Sequence, residues 1–251
     1  LRLRWAFGVS VVTALLMPFV MGEWKPLVSV GLLLAFWIIA TIFVSIRQRL
    51  HNSGQGGLFA KLARQSRSYY SMHLAHLGIA VFIIGVTLVN GYETEKDVRM
   101  EIGSTVTMGG YTFRFNGASP VSGPNYQAMR GDIDVLRNGE KIRVMQPEKR
   151  TYNASGMAMT EPAIDTGLLR DLYVALGEPL EDGAWVVRVY HKPFVDWIWF
   201  GCLLMAFGGI VAVTDRRYRL KVHNKHVETA TVADDKRVAS NPRLSTGGKK
   251  A

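Results

Sequence analysis

The stretch YSMHLAHLGIAVFIIGVTLV, residues 70–89, decides the reading of this chain. It carries no Asp, Glu, Lys or Arg. As a helix rising 1.5 Å per residue it matches the roughly 30 Å hydrocarbon core of a bilayer. Two ionisable side chains, His73 and His76, lie inside it. A polar group at that depth is costly, and so marks a functional site by default.

Three more apolar stretches flank it. The first runs from Trp5 to Met21, interrupted by Pro18; the second covers Pro26 to Ile46 without a charge. The last covers Phe194 to Val213 and opens with Trp197 and Trp199, where an interfacial aromatic belt would sit. The first is longer than a signal-peptide core and no small-x-small cleavage site follows it. The fold class that follows is an integral membrane α-helical protein. It has four transmembrane helices and a β-rich extramembrane domain between helices three and four.

Composition agrees. The 251 residues carry 30 Lys plus Arg against 20 Asp plus Glu, a net charge of +10, yet 48% are hydrophobic. Apolar and charged residues fall in separate blocks, which is the pattern of a membrane protein and not of a nucleic-acid binder. The one cysteine, Cys202, excludes an internal disulfide and any Cys-rich metal site. The chain opens on Leu1 instead of Met, which is read as the mark of a piece of something longer or of a naturally split subunit.

Lys and Arg distribution sets the expected orientation. Arg2 and Arg4 precede the first span, Arg47 to Arg67 fill the 47–69 loop, and a basic run from Arg216 follows the fourth. Residues 90–193 hold slightly more acidic than basic side chains. Both termini and the 47–69 loop are therefore expected to be cytoplasmic, and 90–193 to lie outside, in a bacterium the periplasm across its inner membrane. The organisation reads as two spans plus a cytoplasmic loop (1–69), the His-bearing span (70–89), the β-rich domain (90–193) and the last span (194–213). A basic, disordered tail (214–251) completes it. Within the loop, Leu58, Phe59 and Leu62 oppose Lys61, Arg64 and Gln65, which suggests a short amphipathic helix or a solvated linker. Gly54, Gly56 and Gly57 lack the strand and Lys-Ser/Thr context of a phosphate loop.

In 90–193, Tyr111, Phe113 and Phe115 alternate with Thr112, Arg114 and Asn116, the period of a strand. Ile133 and Val135 repeat that pattern, and Arg137-Asn138-Gly139-Glu140 predicts a hairpin turn. Another strand is expected from Ala184 to Tyr190, and a short helix from Thr166 to Leu176 with Leu168, Leu169, Leu172 and Leu176 as its apolar face. The carboxylates Glu148, Glu161, Asp165, Asp171 and Glu178 are read as mostly solvated.

His76 lies roughly 9 Å into the span if the helix enters the core at Tyr70. Two readings stand for it. One is an axial ligand to a haem iron, since a neutral imidazole in an apolar surround suits that role; the other is a packing residue bonded to a neighbouring helix. His73, a turn nearer the surface, is read as a packing residue. An i, i+3 pair shares a helix face, so both could point to one partner helix. Ser71, Gly78 and Gly85 permit close helix approach. His191 stands at the membrane edge, where an interfacial side chain is read ahead of a ligand role, while His51, His223 and His226 show no metal-ligand pattern. No catalytic residue is assigned, and Ser155 lacks a nucleophile-elbow context.

Several short stretches, in order, resemble the C-terminal part of the CcmF/NrfE family of cytochrome c-type biogenesis proteins. They include Met72 to Gly78, Asp97 to Met100, Gly123 to Tyr126, Glu148 to Arg150, Met159 to Glu161, Ala163 to Asp165, Arg170 to Tyr173, Ala175 to Glu178, Gly183 to Trp185 and Lys192 to Phe194, with Trp197 to Trp199. The resemblance implies a subunit of a haem lyase, which joins haem to apocytochrome c. It implies partners as well: the remainder of a CcmF-like subunit, a CcmH-type protein, the haem chaperone CcmE, apocytochrome c and membrane lipid, with no nucleic acid. The family's Ala-His-x-Gly motif maps onto Ala75-His76-Leu77-Gly78, so His76 inherits the role of axial ligand to the iron of a haem b. The second ligand lies outside this chain, as do the family's tryptophan-rich external segment and its two external histidines. His73 inherits nothing. The activity is thus not complete in this chain. The alternative is a membrane-anchored periplasmic interaction module without a haem site of its own.

Overall fold

The computed structural model describes residues 2–52, 57–63 and 65–214. The tail expected to be disordered, the glycines at 54 and 56, Arg64, His223 and His226 lie outside the described residues. Helix α1 covers Arg2–Val20, and Pro26 opens α2, Pro26–Asn52. Proline suits a first helical position because its missing N–H would be unpaired there anyway. A short α3, Leu58–Ala63, forms where the amphipathic pattern placed a helix. Helix α4, Arg67–Tyr92, starts at Ser66, whose hydroxyl accepts from the Tyr69 amide at 3.2 Å. The last helix, α5, covers Val195–Val213. The helices α1, α2, α4 and α5 are each long and apolar enough to cross a membrane.

The α1–α2 turn and the extramembrane domain lie at the same end of the helices. Lys25 donates to the Gly91 carbonyl at 2.6 Å, and Tyr92 donates to the Glu23 carbonyl at 2.7 Å. The α2–α3–α4 connection lies at the other end.

Between α4 and α5 come ten strands in two antiparallel sheets. They are β1 (Thr94–Met100), β2 (Thr105–Met108), β3 (Tyr111–Ser122), β4 (Tyr126–Arg137), β5 (Glu140–Met145), β6 (Glu148–Tyr152), β7 (Ala158–Glu161), β8 (Ala163–Asp165), β9 (Arg170–Pro179) and β10 (Trp185–Pro193). One sheet is ordered β1-β10-β9-β8; the other is β2-β3-β4-β6-β7, with β5 also on β4. Their facing sides form one core. Phe113, Phe115, Ile133, Val135, Leu172, Val174, Leu176, Val187 and Val189 are fully buried within it. The predicted hairpin is present: Arg137 pairs with Glu140, and Asn138 and Gly139 both take positive φ, 53° and 84°. A two-residue turn matching the strand twist requires that conformation at both positions.

One element differs from the sequence reading. The helix expected over Thr166–Leu176 is instead a turn followed by β9. The leucine spacing at 172 and 176 fits both periods. Val174 between them breaks the tie, because Leu172, Val174 and Leu176 all face the core with period two.

The sandwich is tied to the membrane helices at its base. The Phe194 amide donates to the Leu169 carbonyl at 3.1 Å, and the Trp197 indole donates to the Leu168 carbonyl at 3.0 Å. Phe194 itself sits in left-handed geometry, φ 59°, and turns β10 into α5.

Candidate functional site

Helix α4 is packed on two of its sides. Seven-residue spacing puts Ser71, Gly78 and Gly85 on one stripe, which meets Gly201 and Gly208 of α5. A Cβ on Gly201 would stand 2.6 Å from the Phe82 amide nitrogen, and one on Gly208 2.8 Å from that of Ala75. The helices therefore approach backbone to backbone, which only small residues allow. A second stripe, with Ala80, Ile84 and Leu88, packs on Val28, Leu32 and Ala35 of α2.

His73 and His76 do not share a partner. His73 is buried toward α2, with its Nε2 3.1 Å from the Ser45 hydroxyl and its ring 4.2 Å from that of Tyr69. It joins α2 to α4, as a packing histidine does. His76 points away from both neighbours and is exposed, as is Met72; Ile79 is exposed too, one turn on. The 60° that separates i from i+3 on a helix is enough to divide them. The position of α2, which no single-chain periodicity reveals, decides which of the two is covered.

The tautomer of His76 follows from its one hydrogen bond. Its Nδ1 lies 2.7 Å from the Met72 carbonyl, a group that only accepts. Nδ1 therefore carries the proton, and in the neutral ring Nε2 keeps its lone pair, directed outward. This is the arrangement of a metal-ligating histidine, whose other nitrogen is held by a carbonyl. Among the described residues no group of three or more His, Cys, Asp or Glu is placed to hold a bare metal ion. A haem iron needs only an axial nitrogen from the protein, because the macrocycle fills its equatorial plane. A single outward imidazole between apolar side chains fits that requirement.

The extramembrane carboxylates correct the sequence reading. Glu148, Asp165 and Asp171 are buried, and so is Asp134. Three of them sit between two cations each. Asp134 meets Arg114 at 2.6 Å and Lys141 at 2.5 Å; Glu148 meets Arg130 at 2.6 Å and Arg150 at 2.7 Å; Asp165 meets Arg143 at 2.5 Å and Arg170 at 2.7 Å. The Lys141 and Arg114 hydrogen bonds hold the Asp134 carboxyl down at about 2. The Arg150 and Arg130 hydrogen bonds lower Glu148 likewise. Asp171 goes the other way, raised by burial, although it accepts the Gly167 amide. Glu178, exposed beside Lys149, behaves as expected.

His191 is half-buried beside Tyr111, and a Cβ on Gly109 would meet its ring at 2.5 Å. Arg170 donates to the Tyr111 hydroxyl at 3.0 Å, and the Arg137 and Arg170 cations lie over the Tyr111 ring at 5.4 and 4.8 Å. Burial, then Arg170, keeps the His191 ring below its usual pKa. The Gly109-Gly110 pair before Tyr111 was the available signal for this close approach.

Residues 91–193 match a family model described as the CcmF C-terminal beta-sandwich. The cytochrome c-type biogenesis protein CcmF of Pseudomonas aeruginosa is 46% identical over 237 residues, 92% of this chain and 36% of that protein. CcmF of Escherichia coli K12 is 42% identical over 218 residues, 86% of this chain and 32% of that protein. A solved structure, the cytochrome c heme lyase CcmF, superposes with a TM-score of 0.68 at 17% identity. It covers 83% of this chain and 34% of that one, a likeness of fold. The chain thus spans about a third of the length of the relatives it matches.

Proposed function

We propose, from the resemblance of this chain to the C-terminal part of CcmF, that it forms the C-terminal portion of a haem-handling membrane subunit of the cytochrome c maturation (haem lyase) complex. In this reading His76 supplies one axial ligand to a b-type haem, and the second ligand comes from outside the chain. The observation that carries it is the outward Nε2 of His76, with its proton fixed on Nδ1 by the Met72 carbonyl. Haem b, when bound, would supply one-electron transfer.

The residues here do the rest. Met72 sets the tautomer, and Met72 and Ile79 offer the apolar surround that a macrocycle needs. The Gly-mediated contact of α4 with α5 holds the helix, and so the imidazole, in place. His73, bonded to Ser45, locks α4 to α2 and takes no ligand role. The sandwich is the part that would face apocytochrome c, a CcmH-type partner and the haem chaperone CcmE. The resemblance supports a bacterial inner-membrane location, and the Lys and Arg distribution supports an orientation with the sandwich periplasmic and both termini cytoplasmic. The alternative, an anchored interaction module whose His76 only packs, is disfavoured because the ring packs on neither α2 nor α5.

The test is a reduced-minus-oxidised visible spectrum of the chain co-expressed with the N-terminal remainder of a CcmF subunit. His76→Ala is expected to lose the b-type signal at equal protein level while His73→Ala keeps it. Equal haem in both variants would overturn the assignment.

A further inference from the structure

A groove of about 1060 Å³ runs between α1 and α2 and is closed at one end by α3. Its walls are apolar, with Val9 from α1 and Phe36 and Ile39 from α2; its mouth carries Arg47, His51 and, from α3, Lys61. From Phe36 to Arg47 is roughly 16 Å at 1.5 Å per residue. That is the depth of one leaflet of a core roughly 30 Å thick. Among the described residues, no carboxylate lines this mouth. Glu23 is the single Asp or Glu in residues 1–92, and it lies at the opposite end, 3.6 Å from Lys25. Helix α3 follows the charged end of α2; Leu58 and Lys61 line the groove, and Phe59 is exposed, as an interfacial helix presents an apolar side chain.

We infer that this groove is a binding site for one anionic phospholipid. The acyl chains lie along Val9, Phe36 and Ile39, and the phosphate is held by Arg47 and Lys61. Charge complementarity selects the occupant: a zwitterionic lipid brings its own ammonium to a mouth that is already cationic, whereas a net-negative headgroup neutralises it. The inference rests on the membrane embedding of α1 and α2 and not on haem, so it stands or falls apart from the role of His76.

The experiment is native mass spectrometry of the full chain in detergent after exchange against phosphatidylglycerol or phosphatidylcholine. The wild type is expected to retain one phosphatidylglycerol per chain, at least tenfold over phosphatidylcholine. Arg47→Gln with Lys61→Gln should bring the two lipids to parity. Val9→Trp, which fills the groove without changing charge, should lose both. Circular dichroism identical to wild type would show that the variants fold. Equal retention of the two lipids by the wild type would overturn the site, as would retention unchanged in the Gln pair. So would a dimer in place of bound lipid, since a second copy would then occupy the groove.

Discussion

Asp134 gives the most direct handle on how the sandwich is held. Its side chain is 3% exposed, yet Arg114 and Lys141, which flank it, are 44% and 50% exposed. Folding lowers its pKa from 3.8 to about 2. At about 1.4 kcal/mol per pKa unit that is worth roughly 2 kcal/mol in a dry site. With both cations half in water, screening reduces it to about 1 kcal/mol. The folded pKa is depressed, so this stability is fully present above pH 4 and is lost as pH falls toward 2. Asp134→Asn should therefore lower stability by about 1 kcal/mol at pH 7 and match the wild type near pH 2. Guanidinium unfolding of the chain in micelles, read by pulse proteolysis of the sandwich at both pH values, measures this. An Asn variant as stable as the wild type at pH 7, or a difference of the same size at both pH values, would refute the electrostatic account.

Two further outcomes follow from the packing. Phe113→Ala empties a fully buried core position and should cost about 3–5 kcal/mol; proteolysis would then cut within 93–193 while α4 and α5 stay protected in the micelle. Gly201→Leu places a side chain where even a Cβ lies 2.6 Å from the Phe82 backbone. It should part α4 from α5, so that a cysteine pair placed across that seam cross-links at least tenfold more slowly than in the wild-type background; an unchanged rate would show that the seam is not close-packed.

Much of the fold was legible because membrane solvation writes itself into composition. A spanning helix needs a long uncharged run, and all four runs became helices, with α4 extended past the predicted 70–89 at both ends by polar residues that continue its hydrogen bonding. Period-two alternation around Phe113 and Ile133 and the Asn138-Gly139 turn located strands for the same local reason. The segment 166–176 failed because two leucines four apart satisfy a helix and a strand equally, and only the facing sheet chose between them.

By itself, then, the sequence determined that this chain carries four apolar runs of spanning length with an intervening β domain, and it singled out His73 and His76 as polar groups that need a reason. Local hydrophobicity and backbone geometry suffice for that. The tertiary structure alone decided that His73 is spent on Ser45 while His76 is left facing outward, that Glu148, Asp165 and Asp134 are buried between paired cations, and that Gly109 admits His191. Each depends on which elements pack side by side, and burial, unlike periodicity, is a property of neighbours distant in the chain.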